Sequence, residues 1–138
     1  MSATDVKFRD MEVLVCDDDD AILNIMSHIL GEMGFGFVKT TTDPETALRL
    51  IREPVEKPFD LVICDWSMPG MSGMEILQKL RDGGNPVPFI MLTAKVSQDA
   101  VVEARDTGVD AYIAKPFTAE LVQRKVAAIA GRGAPGQS

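Results

Sequence analysis

A doubly wound α/β fold, five parallel strands with helices on both faces, is the class the sequence predicts. Three observations lead there. Five short apolar runs alternate with five amphipathic segments along 138 residues. The runs Val13-Leu14-Val15-Cys16 and Leu61-Val62-Ile63-Cys64 are continuously apolar, as in strands buried on both faces. Each of those two runs then ends in acid: Asp17-Asp18-Asp19-Asp20 after the first and Asp65 after the second. In sheets of this class ligands sit beyond the carboxyl ends of the strands, at a topological switch point.

Taken in order, residues 1–10 are polar and unpatterned and read as a loose lead-in. Residues 11–16 form the first strand. Residues 21–33 follow as a helix, with Ile22, Ile25, Met26, Ile29, Leu30 and Met33 at helical spacing and Gly34 as its stop. His28 lies between those core positions and reads as an exposed helix residue. A short second strand covers residues 35–41. Asp43-Pro44 supplies an N-cap and a first-turn proline to a helix that turns Ala47, Leu48 and Ile51 inward, and Pro54 and Pro58 close it. The third strand spans residues 59–64.

Trp66-Ser67-Met68-Pro69-Gly70-Met71 is a loop by its Pro-Gly pair. Its methionines, with Met74, suit pliable packing beneath that loop. Ser72 and Glu75 then form a capping box for a helix that buries Met74, Ile76, Leu77 and Leu80. Gly83-Gly84 and Pro86 break the chain before a fourth strand, residues 87–92, which ends at Thr93-Ala94. The fourth helix, residues 97–107, has a weak apolar face of Val101, Val102 and Ala104 and is expected to be marginal. A fifth strand at 111–114 leads into Lys115-Pro116. Thr118 caps a last helix with Leu121, Val122, Val126 and Ile129 inward, and residues 131–138 read as a flexible Gly/Pro-rich tail.

Composition narrows the function. The length suits one domain with a real core. Twenty-one acidic against fourteen basic residues give a net charge of -7, which repels nucleic acid and anionic membrane surfaces. No apolar run reaches the roughly 18 residues of a membrane span, and residues 1–10 lack the apolar core of a signal peptide. Cys16 and Cys64 fit a reducing compartment, as buried apolar residues rather than a disulfide. A cytoplasmic protein is expected.

The strand ends assemble one constellation: Asp17 and Asp18, Asp65, Thr93 and Lys115. Four clustered carboxylates demand a cation, because two at ~4 Å repel by about 4 kcal/mol at an effective dielectric of ~20. A helix cap needs one acid, not four, so Asp19 or Asp20 accounts for the cap and the others remain. Hard carboxylate oxygens with an open edge suit Mg2+, which shares its coordination with phosphate oxygens. A lysine and a hydroxyl can each engage a phosphoryl group, and an aspartate can serve as nucleophile. The chemistry indicated is phosphoryl transfer to a carboxylate.

Val-Leu-Val-Cys-Asp-Asp, Ile-Cys-Asp-Trp-Ser-Met-Pro-Gly-Met-Ser-Gly, Met-Leu-Thr-Ala and Ala-Tyr-Ile-Ala-Lys-Pro-Phe resemble the signatures of receiver domains of bacterial two-component response regulators. Single-domain chemotaxis regulators are the nearest kind, and the likeness covers residues 11–130. It implies a flavodoxin-like (βα)5 sheet in the order 2-1-3-4-5. By the same resemblance Asp65 is the phosphoacceptor, and Asp17, Asp18, Asp65 and the Ser67 backbone carbonyl hold Mg2+, for which Mn2+ can substitute. Lys115, before a cis proline, and Thr93-Ala94 would engage the phosphate, and Tyr112 would swing inward to remodel the surface of the fourth helix, fifth strand and fifth helix. Ser67 and Lys95 occupy the two positions that tune rates in the family. Lys95 would also help capture anionic phosphodonors. The implied partners are a sensor histidine kinase or histidine phosphotransfer protein and a downstream target protein.

Three rival readings fit the residues less well. A haloacid-dehalogenase-type phosphatase fits Asp17-x-Asp19 but needs an acidic pair downstream of its lysine, where only Glu120 remains. A flavodoxin-type cofactor site would place a phosphate against four aspartates. A phosphorylation-independent adaptor has no need of the full set Asp17, Asp18, Asp65, Thr93 and Lys115. No output domain follows residues 126–129, so output through a protein contact is expected.

Overall fold

The computed structural model describes residues 8–133. In chain order its elements are β1 (Glu12–Cys16), α1 (Asp20–Glu32), β2 (Phe37–Thr41), α2 (Pro44–Arg52), β3 (Leu61–Asp65), α3 (Gly73–Asp82), β4 (Phe89–Thr93), α4 (Gln98–Thr107), β5 (Ala111–Ala114) and α5 (Ala119–Gly133). All strand pairings are parallel and the order is 2-1-3-4-5. The chain leaves β1 toward β2 on one side and returns to β3 on the other. The switch point therefore lies between β1 and β3, the two strands that end in aspartate.

Each central strand feeds both faces of the sheet, because alternate side chains point to opposite sides. Val13, Val15, Leu61, Ile63, Ile90, Leu92 and Ile113 meet α1 and α5. Leu14, Cys16, Val62, Cys64, Phe89 and Met91 meet α2, α3 and α4. The edge strand β2 is largely exposed. Helix starts follow the local chemistry. The Asp19 side chain accepts the Ala21 N–H, Asp43 accepts the Thr46 N–H ahead of Pro44, and Ser72 and Glu75 close the capping box. Gly108 ends α4 in the left-handed region, at φ 105°.

Several expectations change. Phe8, read as part of a loose lead-in, is 1% exposed and stacks on Phe35 with ring centroids 4.7 Å apart. A lone aromatic has no periodicity to announce its burial. In α1 the position assigned to Ile25 turns outward, 48% exposed, and Leu23 is buried in its place. In α4 the buried residues are Ala100 and Ala104, while Val101 faces solvent, so this helix seats by two small side chains. Helix α5 continues to Gly133, through residues read as tail; the rest of that tail, like residues 1–7, lies outside the described residues.

Candidate functional site

The sheet ladder runs one residue past the strands and fixes the site's backbone. Asp17 N–H donates to the Thr41 carbonyl (3.2 Å), Trp66 N–H to Leu92 (2.9 Å) and Lys115 N–H to Thr93 (2.8 Å). The loop after β3 is drawn in by a bond from Gly73 N–H to the Trp66 carbonyl at 2.8 Å. A Cβ on Gly73 would stand 2.2 Å from the Asp65 carbonyl oxygen, so only glycine lets α3 start this close to β3.

Among the described residues, the buried polar side chains are Asp17, Asp65 and Thr93. All three stand at the carboxyl ends of adjacent strands. Asp17, fully enclosed, accepts the Asp19 N–H at 2.9 Å on one oxygen and the Lys115 ammonium at 2.9 Å on the other. Lys115 also reaches Asp65 at 3.5 Å, and Asp65 accepts a 3.4 Å bond from Ser67 N–H. Asp18 is exposed, and one carboxylate oxygen each from Asp17, Asp18 and Asp65 lie within 4.8 Å of one another. Burial and the Asp17 charge push the Asp65 carboxyl up to about 6, against the pull of Lys115. Burial alone would lower the Lys115 ammonium, but its bond to Asp17 and the charge of Asp65 raise it, so it stays cationic.

A second layer surrounds this core. Thr93 Oγ1 accepts the Lys95 N–H at 2.9 Å, and the Tyr112 hydroxyl donates to the Lys95 carbonyl. The Lys95 ammonium lies 4.7 Å above the Trp66 ring, whose edge meets Tyr112 at 6.4 Å between centroids. Ser67 and Ala94 are exposed at the rim. The Lys115-Pro116 peptide is cis. The structure thus gathers Asp17, Asp18, Asp65, Lys115, Thr93, Ser67, Ala94, Lys95 and Tyr112 at one end of the sheet. Sequence reasoning missed Gly73, whose signal was a glycine directly after the Ser72 cap. It also missed the Lys95–Trp66 contact, which no local pattern encodes.

These features define a class: a doubly wound α/β fold with an acidic, lysine-bridged pocket at its switch point. The chain belongs to the response regulator receiver domain family, whose pattern it matches over residues 13–127. It is 33% identical to the chemotaxis protein CheY-3 of Vibrio cholerae over 120 residues, 86% of this chain and 90% of that one. Identity to the chemotaxis protein CheY of Pseudomonas aeruginosa is also 33%, over 118 residues, 84% of this chain and 93% of the relative. The solved receiver domain of the Francisella response regulator 1452 superposes with a TM-score of 0.82 at 30% identity, covering 89% of this chain and 98% of that one.

Receiver domains generally bind Mg2+ at an acidic pocket, and the donor set here fits that ion. Three carboxylates offer hard oxygens from one side and leave an open edge for water and phosphate. Among the described residues no helix is long and apolar enough to cross a membrane.

Proposed function

We propose that this chain is a phosphorylation-driven switch that takes a phosphoryl group from a phosphohistidine donor onto Asp65. The observation that carries the reading is the lysine bridge. Lys115 reaches both Asp17 and Asp65 while Asp18 completes a three-carboxylate cluster. In the transfer an Asp65 carboxylate oxygen bonds to phosphorus as the donor's P–N bond breaks, and the histidine leaves as neutral imidazole after taking up a proton. Asp17, Asp18, Asp65 and the Ser67 carbonyl would hold Mg2+. Its charge offsets the repulsion between carboxylate and phosphate when bound. Lys115 would pair with one phosphoryl oxygen, and the Thr93 hydroxyl would donate to another once it turns from Lys95 N–H, with the Ala94 N–H beside it.

Tyr112 and Thr93 both bond to Lys95 backbone, which supports a coupled movement. When Thr93 turns toward phosphate, the 94–97 segment and Tyr112 shift, changing the surface of α4, β5 and α5 that a downstream protein reads. Ser67 and Lys95 flank the approach to Asp65 and would set transfer and hydrolysis rates. The acidic surface and the reduced cysteines suit a cytoplasmic protein.

Intact mass measurement with acetyl phosphate and Mg2+ tests the proposal. Wild type gains one phosphoryl group, and Asp65→Asn gains none. Absence of any gain, with acetyl phosphate and with histidine kinases alike, would leave a phosphorylation-independent adaptor as the better reading.

A further inference from the structure

Immediately beneath the acidic pocket the chain gathers sulfur. Cys16, Cys64 and Met91 occupy one in-register row across β1, β3 and β4, each fully enclosed and on the same face of the sheet. Met68, from the loop after β3, packs onto this cluster from the partly exposed side, and its Sδ accepts the Cys16 thiol at 3.5 Å. The two thiols are free and belong to directly paired residues of neighbouring strands, and the Cys64 thiol also lies 3.5 Å from the Asp65 carbonyl. Each sulfur alone is an ordinary apolar filler. Four of them in one packed cluster, two thiols and two thioethers, offer a donor set that hard cations ignore and soft ones select.

We propose that Cys16, Cys64 and Met68, backed by Met91, bind a soft monovalent cation of the Cu(I) class. One thiol gives its proton to solvent as its sulfur bonds to the cation, while the other thiol and the thioethers donate lone pairs without losing a proton. No oxidation state changes, and the assembly is neutral, as a buried site requires. Met68, the partly exposed member, is the entry. The site is chemically orthogonal to the carboxylates one residue further along each strand, and does not depend on the phosphoryl-transfer reading.

The test uses the full chain, anaerobic and reduced, competing for Cu(I) with a chromophoric Cu(I) chelator. Wild type is expected to withdraw one equivalent while keeping the near-ultraviolet circular dichroism of Trp66. Cys16→Ala and Cys64→Ala lose the withdrawal, and Met68→Leu weakens it by roughly tenfold or more. No withdrawal by the folded wild type overturns the proposal. So does withdrawal that the cysteine variants retain, or that comes only with loss of the Trp66 signal. Should the cysteine variants fail to fold, unchanged affinity in Met68→Leu overturns it equally.

Discussion

Replacing Asp65 by asparagine is expected to stabilise the metal-free protein at neutral pH, although the residue is central to the site. The folded chain holds this carboxyl at about 6, against an ordinary 3.8, because it is buried beside Asp17. Between those values the folded state keeps a proton that the unfolded state has released. Stability contributed at this position therefore falls as pH rises through the window, and the penalty is complete above it. At ~1.36 kcal/mol per pH unit the interval amounts to about 3 kcal/mol. Asparagine keeps the shape and removes the charge, but its amide also needs partners, so about 1–3 kcal/mol is expected at pH 8. With a urea slope of roughly 1.5 kcal/mol per molar, the unfolding midpoint rises by about 0.7–2 M. The assay is paired urea titration of wild type and Asp65→Asn in chelator at pH 8, 6 and 4. The gap should close as pH falls, and with millimolar Mg2+ at pH 8 it should shrink or reverse, since wild type alone keeps all three carboxylates. Equal midpoints at pH 8, or a gap that is constant with pH, would refute the electrostatic account of the pocket.

Three further outcomes follow from particular contacts. Gly73→Ala puts a methyl carbon 2.2 Å from the Asp65 carbonyl oxygen and is expected to cost about 2–3 kcal/mol; a melting temperature within a degree of wild type would contradict the close approach. Phe8→Ala should cost about 3 kcal/mol by emptying a buried ring site against Phe35, read by chemical denaturation; a change under about 0.5 kcal/mol would return Phe8 to a loose lead-in. Lys95→Ala, by removing the cation above Trp66, should slow acetyl-phosphate labelling of Asp65 several-fold at low salt. The difference should fade at high ionic strength, and labelling unchanged across ionic strength would remove Lys95 from donor capture.

The sequence by itself determined the fold class, because strand and helix periodicities are local and the five apolar runs carry them. It also determined that acids, a hydroxyl and a lysine would end those strands. A cap of α1 at Asp19 or Asp20, which the structure resolves to Asp19, and the Ser72–Glu75 box were legible for the same reason, being hydrogen bonds between near neighbours in the chain. Burial was less legible. Ile25 and Val101 have the hydropathy of core residues, yet which side of a helix meets the sheet depends on where the helix sits, and here Leu23 and Ala100 are the residues buried. Phe8 is buried by a partner 27 positions away, Phe35, which no local pattern could supply.

The division runs through the site as well. The four aspartates after β1 looked alike in sequence; the fold separates them, enclosing Asp17, leaving Asp18 exposed, and turning Asp19 and Asp20 into the start of α1. Only the tertiary structure decided that Lys115 lies between Asp17 and Asp65, since ion pairing across 98 residues is set by strand order and register. The same register brought Cys16, Cys64 and Met91 into one row, a grouping absent from any stretch of the chain. Residue types at strand ends are written locally. Distances between them come from how the strands are laid side by side.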